Sequence, residues 1–250
     1  MAKALKQGEQ VYVPLNRLGL QERETGSAFL QTEVLADVEV HKRSVIVDLR
    51  DCGATKTVPT SAVHRNVGVC IYAIGDIGSE LLLIDPLRKS VLQYCRLLVP
   101  SDSLRARSVR SIAELKECWV NHDHAKCTHV ILIGHGGQNG LKFAVDGTVS
   151  AADIGEIFYI PNSVASTFIS LCCKTGLASF AKPFAASSKC NVFIAPYHTV
   201  HGVIACQFLT AYLGHHFLDG RTPKVAYNNA QTDIPSGVKF RLWENGILKT

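Results

Sequence analysis

The chain has 250 residues, 47% of them hydrophobic and 19% charged, with 26 basic against 21 acidic residues and a net charge of +5. That balance supports a packed core and excludes wholesale disorder; the charge is too mild and too scattered to point to a nucleic-acid partner. No apolar run reaches the ~18 residues of a membrane span, and the opening MAKALKQGEQ lacks the apolar segment of a secretory signal.

Residues 8–65 alternate apolar and polar side chains with period two, in GEQVYVP, FLQTEVLADVEVH, SVIVDLRD and TKTVPTSAV. Turn residues separate them at ETGS, HKRS and RDCGA. About five short strands with no helix predict a small antiparallel barrel over residues 1–66.

From Val67 onward, continuous apolar runs alternate with amphipathic stretches. Strands are expected at GVCIYAIG (68–75), CRLLVP (95–100), HVILIG (129–134), TFISLC (167–172), NVFIAPY (191–197) and VKFRLW (238–243). Between them, DPLRKSVLQY carries Asp85 as a helix cap and Pro86 at the first helical position. SVRSIAELKECWVNH keeps Ile112, Leu115, Cys118 and Trp119 on one face. Helices follow at TVSAADIGEIFYI, LASFAKPFAAS, GVIACQFLTAYLGHHFL and TPKVAYNNA. The basic stretch SLRARSVR (103–110) reads as a solvated loop. The pattern predicts an α/β domain over 67–250, a mainly parallel six-stranded sheet covered on both faces.

Nine cysteines, an odd number without a C-x-x-C pair, sit mostly in apolar stretches. They argue against a disulfide framework and for a reducing, cytoplasmic setting.

In open parallel sheets, chemistry gathers beyond the carboxyl ends of the strands. Two ends stand out. ILIGHGG delivers His135 between Gly134, Gly136 and Gly137, and ISLCCKTG delivers Cys172 and Cys173 ahead of Gly176. Neighbouring strands lie ~4.8 Å apart, so these ends can face each other as a thiol and its base. The Gly136 and Cys173 amides are candidate oxyanion donors. On residue type alone, Cys173 is either a nucleophile or a core cysteine ending a strand, and His135 either a general acid/base or a turn histidine.

The two motifs HVILIGHGG and FISLCCKTG, 38 positions apart from histidine to cysteine, resemble those of caspase-like cysteine peptidases, the CHAT branch in particular. The segment APYHTVHGVIACQFLTAYLGHHFLDGRTPKVAYNNAQ is similar to that family's closing segment. The resemblance covers about 67–250 and implies a caspase-like three-layer sandwich with Cys173 as nucleophile and His135 as acid/base. It implies a protein or peptide substrate, with Tyr197 and His198 lining its pocket, and no organic cofactor. His201 stands in the apparent place of the family's acidic residue. Leu171 replaces the aspartate of the metacaspase pattern, so a preference for Arg or Lys is not implied. Upstream, V-I-V-D-L-R-D-C-G followed by V-P-T-S-A-V resembles Tudor-like barrels, and the first 66 residues are a candidate for contact with a regulatory protein partner, for gating the site, or for a purely structural role. The alternative from another class is an inert caspase-like scaffold or interaction protein built around an unreactive thiol.

Two further groups of residues invite a ligand. NHDHAKCTH (121–129) gathers His122, His124, Cys127 and His129, but the spacing matches no zinc signature, and a solvated loop without metal is expected. LGHHFLDG places His215 and His216 near the negative pole of a helix. GHGGQNG is not a dinucleotide fingerprint, since Asn139 stands where the third glycine belongs. SLCCK lacks the glycine of a hydrolase nucleophile elbow.

Overall fold

The computed structural model describes residues 4–20, 27–49, 54–75, 82–161, 163 and 165–250. The chain begins with β1 (Gln10–Pro14), the short helix α1 (Leu15–Leu18), β2 (Phe29–Val34), β3 (Ser44–Leu49) and β4 (Ala54–Pro59). The four strands pair antiparallel in sequence order. Their inward residues, among them Val11, Val13, Val34, Val47 and Val58, form a hydrophobic cluster of their own.

This corrects the expected count of about five strands without a helix. Pro14 ends β1 and Gly19, at φ 74, closes the helical turn that follows, using proline's fixed φ and glycine's left-handed freedom. After a 3-10 turn at Thr60–Ala62, the fifth segment makes only a single bridge, Tyr12 to His64 on the open side of β1. The expected turns at 24–27 and 50–54 lie almost wholly outside the described residues.

The remainder runs β5 (Val69–Ile74), α2 (Ile84–Leu98), β6 (Leu104–Val109), α3 (Ile112–Cys118), β7 (His129–Gly134), β8 (Gly136–Gly137), β9 (Gly140–Phe143), β10 (Gly147–Val149), α4 (Ala151–Phe158), β11 (Thr167–Ser170), α5 (Ala178–Ser188), β12 (Val192–Pro196), α6 (Gly202–Leu213), α7 (Pro223–Thr232), β13 (Phe240–Glu244) and β14 (Ile247–Leu248). The main sheet has seven strands in the order β14-β13-β12-β11-β7-β5-β6. From β6 to β12 the pairs are parallel; β13 and β14 add antiparallel at one edge.

Register explains the apolar runs. Ile71, Ile131, Ile169, Ile194 and Leu242 are cross-strand partners in one row, buried against α2, α6 and α7. The next row, Cys70, Val130, Phe168, Phe193 and Trp243, faces the other way, against α3, α4 and α5. With both faces covered, the middle of each strand is apolar on both sides, which hides the period-two signal.

The six-strand expectation fails at two places. CRLLVP is not a strand but the end of α2, where Val91, Cys95 and Leu98 are buried at helical spacing. The expected loop SLRARSVR instead supplies β6, whose six residues all pair with β5. It is an edge strand with half of its residues half-exposed, so its arginines keep contact with water even where Arg107 pairs with the buried Asp123. Asp85 is not the cap of α2 either; it lies in the first turn and bonds Arg88 and Lys89.

The N-terminal sheet packs on this α/β layer through Phe29, which belongs to its core cluster and meets the Phe217 ring edge-on at 5.8 Å. The Ala28 N–H donates to Leu98 O (3.3 Å), and Arg17 Nη2 to Asp219 O (3.1 Å).

Candidate active site

β7 and β11 are neighbours, and their ladder ends with Leu132 opposite Ser170, where the Leu171 N–H donates to Leu132 O at 2.8 Å. His135 lies three residues beyond Leu132, and Cys173 three beyond Ser170. Both line one open cleft of about 630 Å³, with Gly136, Asn139, Lys142 and Lys174 around them.

β11 stops at Ser170, two residues short of the expected strand, so both cysteines sit in the turn that follows. A closed ring of hydrogen bonds shapes that turn. The Cys172 N–H donates to Ser170 Oγ (3.2 Å), the Ser170 and Thr175 hydroxyls bond at 2.8 Å, and Thr175 Oγ1 donates to Cys172 O (2.7 Å). Lys174 takes the left-handed conformation (φ 62), and its N–H donates to His198 O (3.2 Å).

The turn gives the two thiols opposite surroundings. Cys172 is fully buried, its Sγ directed to Leu132 O at 3.6 Å, and burial pushes its thiol pKa up to about 12. Cys173 is half-buried in the cleft; its sulfur accepts from the Val200 N–H at 3.4 Å. A thiol kept neutral by burial is inert, whereas one open to solvent and to backbone donors can react.

On the opposing loop, the Lys142 N–H donates to His135 O (3.0 Å), which makes those two residues a hydrogen-bonded pair of the β8–β9 hairpin. Gly136, facing Leu141, is then the non-bonded position, and its N–H points away from β9. A side chain at 136 would meet Cys172 Cβ at 2.7 Å and Cys173 O at 2.8 Å, so only glycine lets the two loops approach this closely. Among the described residues no acceptor takes the Cys173 N–H.

Tyr197 and His198 line a neighbouring cleft of about 870 Å³, where Arg241 Cζ lies 3.6 Å over the Tyr197 ring. From their loop it is Thr199 that lines the Cys173 cleft, and Val200 that touches the sulfur. His201 caps α6, its Nδ1 accepting from the Val203 N–H at 3.3 Å. Sequence reasoning missed Val200 because the contact uses backbone atoms, which leave no signature in residue type.

The 121–129 segment is not the solvated loop expected. Asp123 is fully buried, accepting from Tyr72 Oη (2.8 Å) and pairing with Arg107 (3.5 Å), and Cys127 and His129 are buried too. Among the described residues no group of three or more His, Cys, Asp or Glu side chains could hold a metal ion. His215 bonds Asp219 (3.0 Å) and Asp233 (3.3 Å), and the Asp219 hydrogen bond holds its pKa above the usual value. The eight described cysteines are all free. No described helix is long and apolar enough to cross a membrane.

No protein-family profile and no curated protein matches the chain. Among solved structures it is similar to a secreted C11 cysteine protease from Bacteroides thetaiotaomicron, solved with an irreversible peptide inhibitor (TM-score 0.50, 9% identity). At that identity the likeness is one of fold. The likeness covers 72% of this chain and 66% of that one, so the chain spans just under two thirds of its length. An inactive zymogen C11 protease from Parabacteroides distasonis is also similar, with a TM-score of 0.46 at 10% identity over 71% of this chain and 61% of that one.

Proposed function

We propose that the protein is a cysteine endopeptidase acting through a Cys173–His135 dyad, with the motif order of the CHAT branch. The observation that carries this reading is the shared offset of His135 and Cys173 beyond one parallel strand pair, ending in one cleft. His135 takes the thiol proton as the Cys173 sulfur attacks a peptide carbonyl. The oxyanion accepts from the Gly136 and Cys173 N–H groups. His135 then protonates the leaving amine, and the resulting thioester is hydrolysed by a water that gives its proton to the same imidazole. The N-terminal 66 residues are read as a Tudor-like module through which a regulatory protein would act.

Parallel Cys172→Ala and Cys173→Ala variants, assayed for self-cleavage and on a peptide library, test the assignment. Cys173→Ala is expected to lose all cleavage and Cys172→Ala to retain it. Activity that survives Cys173→Ala, or a wild-type chain that cleaves nothing, leaves the inert scaffold as the better account.

A further inference from the structure

The cleft around Cys173 has an unbalanced charge. The charged side chains among its described lining residues are Lys142 and Lys174, and no Asp or Glu is among them. Both lysines are exposed, and neither joins an ion pair among the described residues. Lys174 is the residue directly after Cys173 and holds φ 62, a backbone region that glycine or asparagine occupies more readily. Lys142 sits across the hairpin from His135.

Cations of one sign along a concave surface concentrate anionic ligands and repel cationic ones. We infer that the substrate is an acidic peptide segment. Asp or Glu side chains beside the scissile bond sit against Lys174 and Lys142. The inference rests on the peptidase reading for the word substrate, but the ligand chemistry can be measured without catalysis.

The test is binding to the full chain carrying Cys173→Ala. Three labelled peptide pools of equal length, fixed as Asp/Glu, Ala/Gln or Lys/Arg, are compared by fluorescence anisotropy at low salt. The acidic pool is expected to bind about tenfold tighter than the neutral one, since each exposed charge pair contributes a factor of a few. High salt should erase the difference, and a Lys142→Glu/Lys174→Glu variant should weaken it or reverse it. Equal binding of the acidic and neutral pools, tighter binding of the basic pool, or no binding by any pool overturns the inference. An order of preference left unchanged by the double variant does so too. Wild-type protein that binds the acidic pool but cleaves none of it sinks the peptidase reading instead.

Discussion

The Val200 N–H donates to the Cys173 sulfur at 3.4 Å, and the Val200 carbonyl lies 3.8 Å from the same atom. The loop after β12 therefore holds the thiol that the turn after β11 presents. A backbone donor stabilises a thiolate more than a thiol, because the bond to an ionised acceptor is the stronger one. Replacing Val200 by proline removes that donor while Val200→Ala keeps it. Alkylation of Cys173 should slow by roughly tenfold in Val200→Pro and stay near wild type in Val200→Ala. Equal rates in the two variants would show that the contact has no chemical role.

Cys172 and Cys173 should differ sharply toward iodoacetamide. With its pKa pushed up to about 12 by burial, Cys172 is a thiolate only about one part in ten thousand near pH 8. Peptide mapping after a short exposure should find Cys173 modified and Cys172 intact. The reverse order would place the reactive residue one position earlier.

Gly136 and Gly137 form a matched pair for substitution. A methyl at 136 meets Cys172 Cβ at 2.7 Å and Thr175 Cγ2 at 3.0 Å, whereas nothing lies within 4 Å of one at 137. Gly136→Ala should destabilise the fold by about 1–3 kcal/mol through overpacking. If the Gly136 N–H is the oxyanion donor proposed above, the same change should cut kcat by at least about 100-fold. Gly137→Ala should leave both near wild type. Thermal melting together with peptide turnover measures each.

Thr175 links the turn to the strand end through the Ser170 hydroxyl and the Cys172 carbonyl. Both partners are in buried residues, so Thr175→Val leaves polar atoms unpaired at a cost of about 1–3 kcal/mol. The turn that presents Cys173 loosens with it, and kcat should fall while KM holds. Thr175→Ser restores the hydroxyl and should recover most of the turnover. A serine variant as impaired as the valine variant would assign the effect to packing of the methyl group.

Three histidines converge where the N-terminal sheet meets the α/β layer. His216 lies 6.2 Å from His64 and 5.3 Å from His129, ring to ring, and Phe217 packs among them. Burial lowers all three pKa values, that of His64 to about 4. Their folded-state values lie below the unfolded one, so the native state holds them neutral. The stability this contributes is complete above about pH 6.5 and is lost as pH falls toward 4. His64 alone accounts for up to about 3 kcal/mol over that range, less whatever solvent at its exposed edge screens. His215 works in the opposite sense, because its hydrogen bond to Asp219 raises its pKa and favours the folded state at low pH. Urea midpoints should drop between about pH 7 and about pH 5, and His64→Phe should flatten the slope. A midpoint constant over that interval would mean that the cluster opens to water at little cost.

Legibility followed burial pattern. HVILIG was readable to the residue because β7 is covered on both faces and bounded by turn residues. CRLLVP was misread since a short apolar run has no period of its own; only the earlier Val91 and Cys95 show that it continues a helix. SLRARSVR hid an edge strand, where half the surface faces water and arginine is tolerated. That His135 and Cys173 emerge beside each other into one cleft was legible from two neighbouring strand ends, while the places of Lys174 and Val200 were not. Their roles come from a left-handed turn and a backbone contact, neither of which residue type encodes.

Sequence by itself determined the layered α/β architecture and named the imidazole and thiol that end two of its strands. Apolar runs and glycines record burial and close approach directly. Only the tertiary structure decided which of the adjacent cysteines is shut in the core, since one residue of strand length exchanges their surroundings. It alone also decided which cations share the cleft with the open thiol, because they come from a hairpin and a turn that meet only when the sheet is assembled.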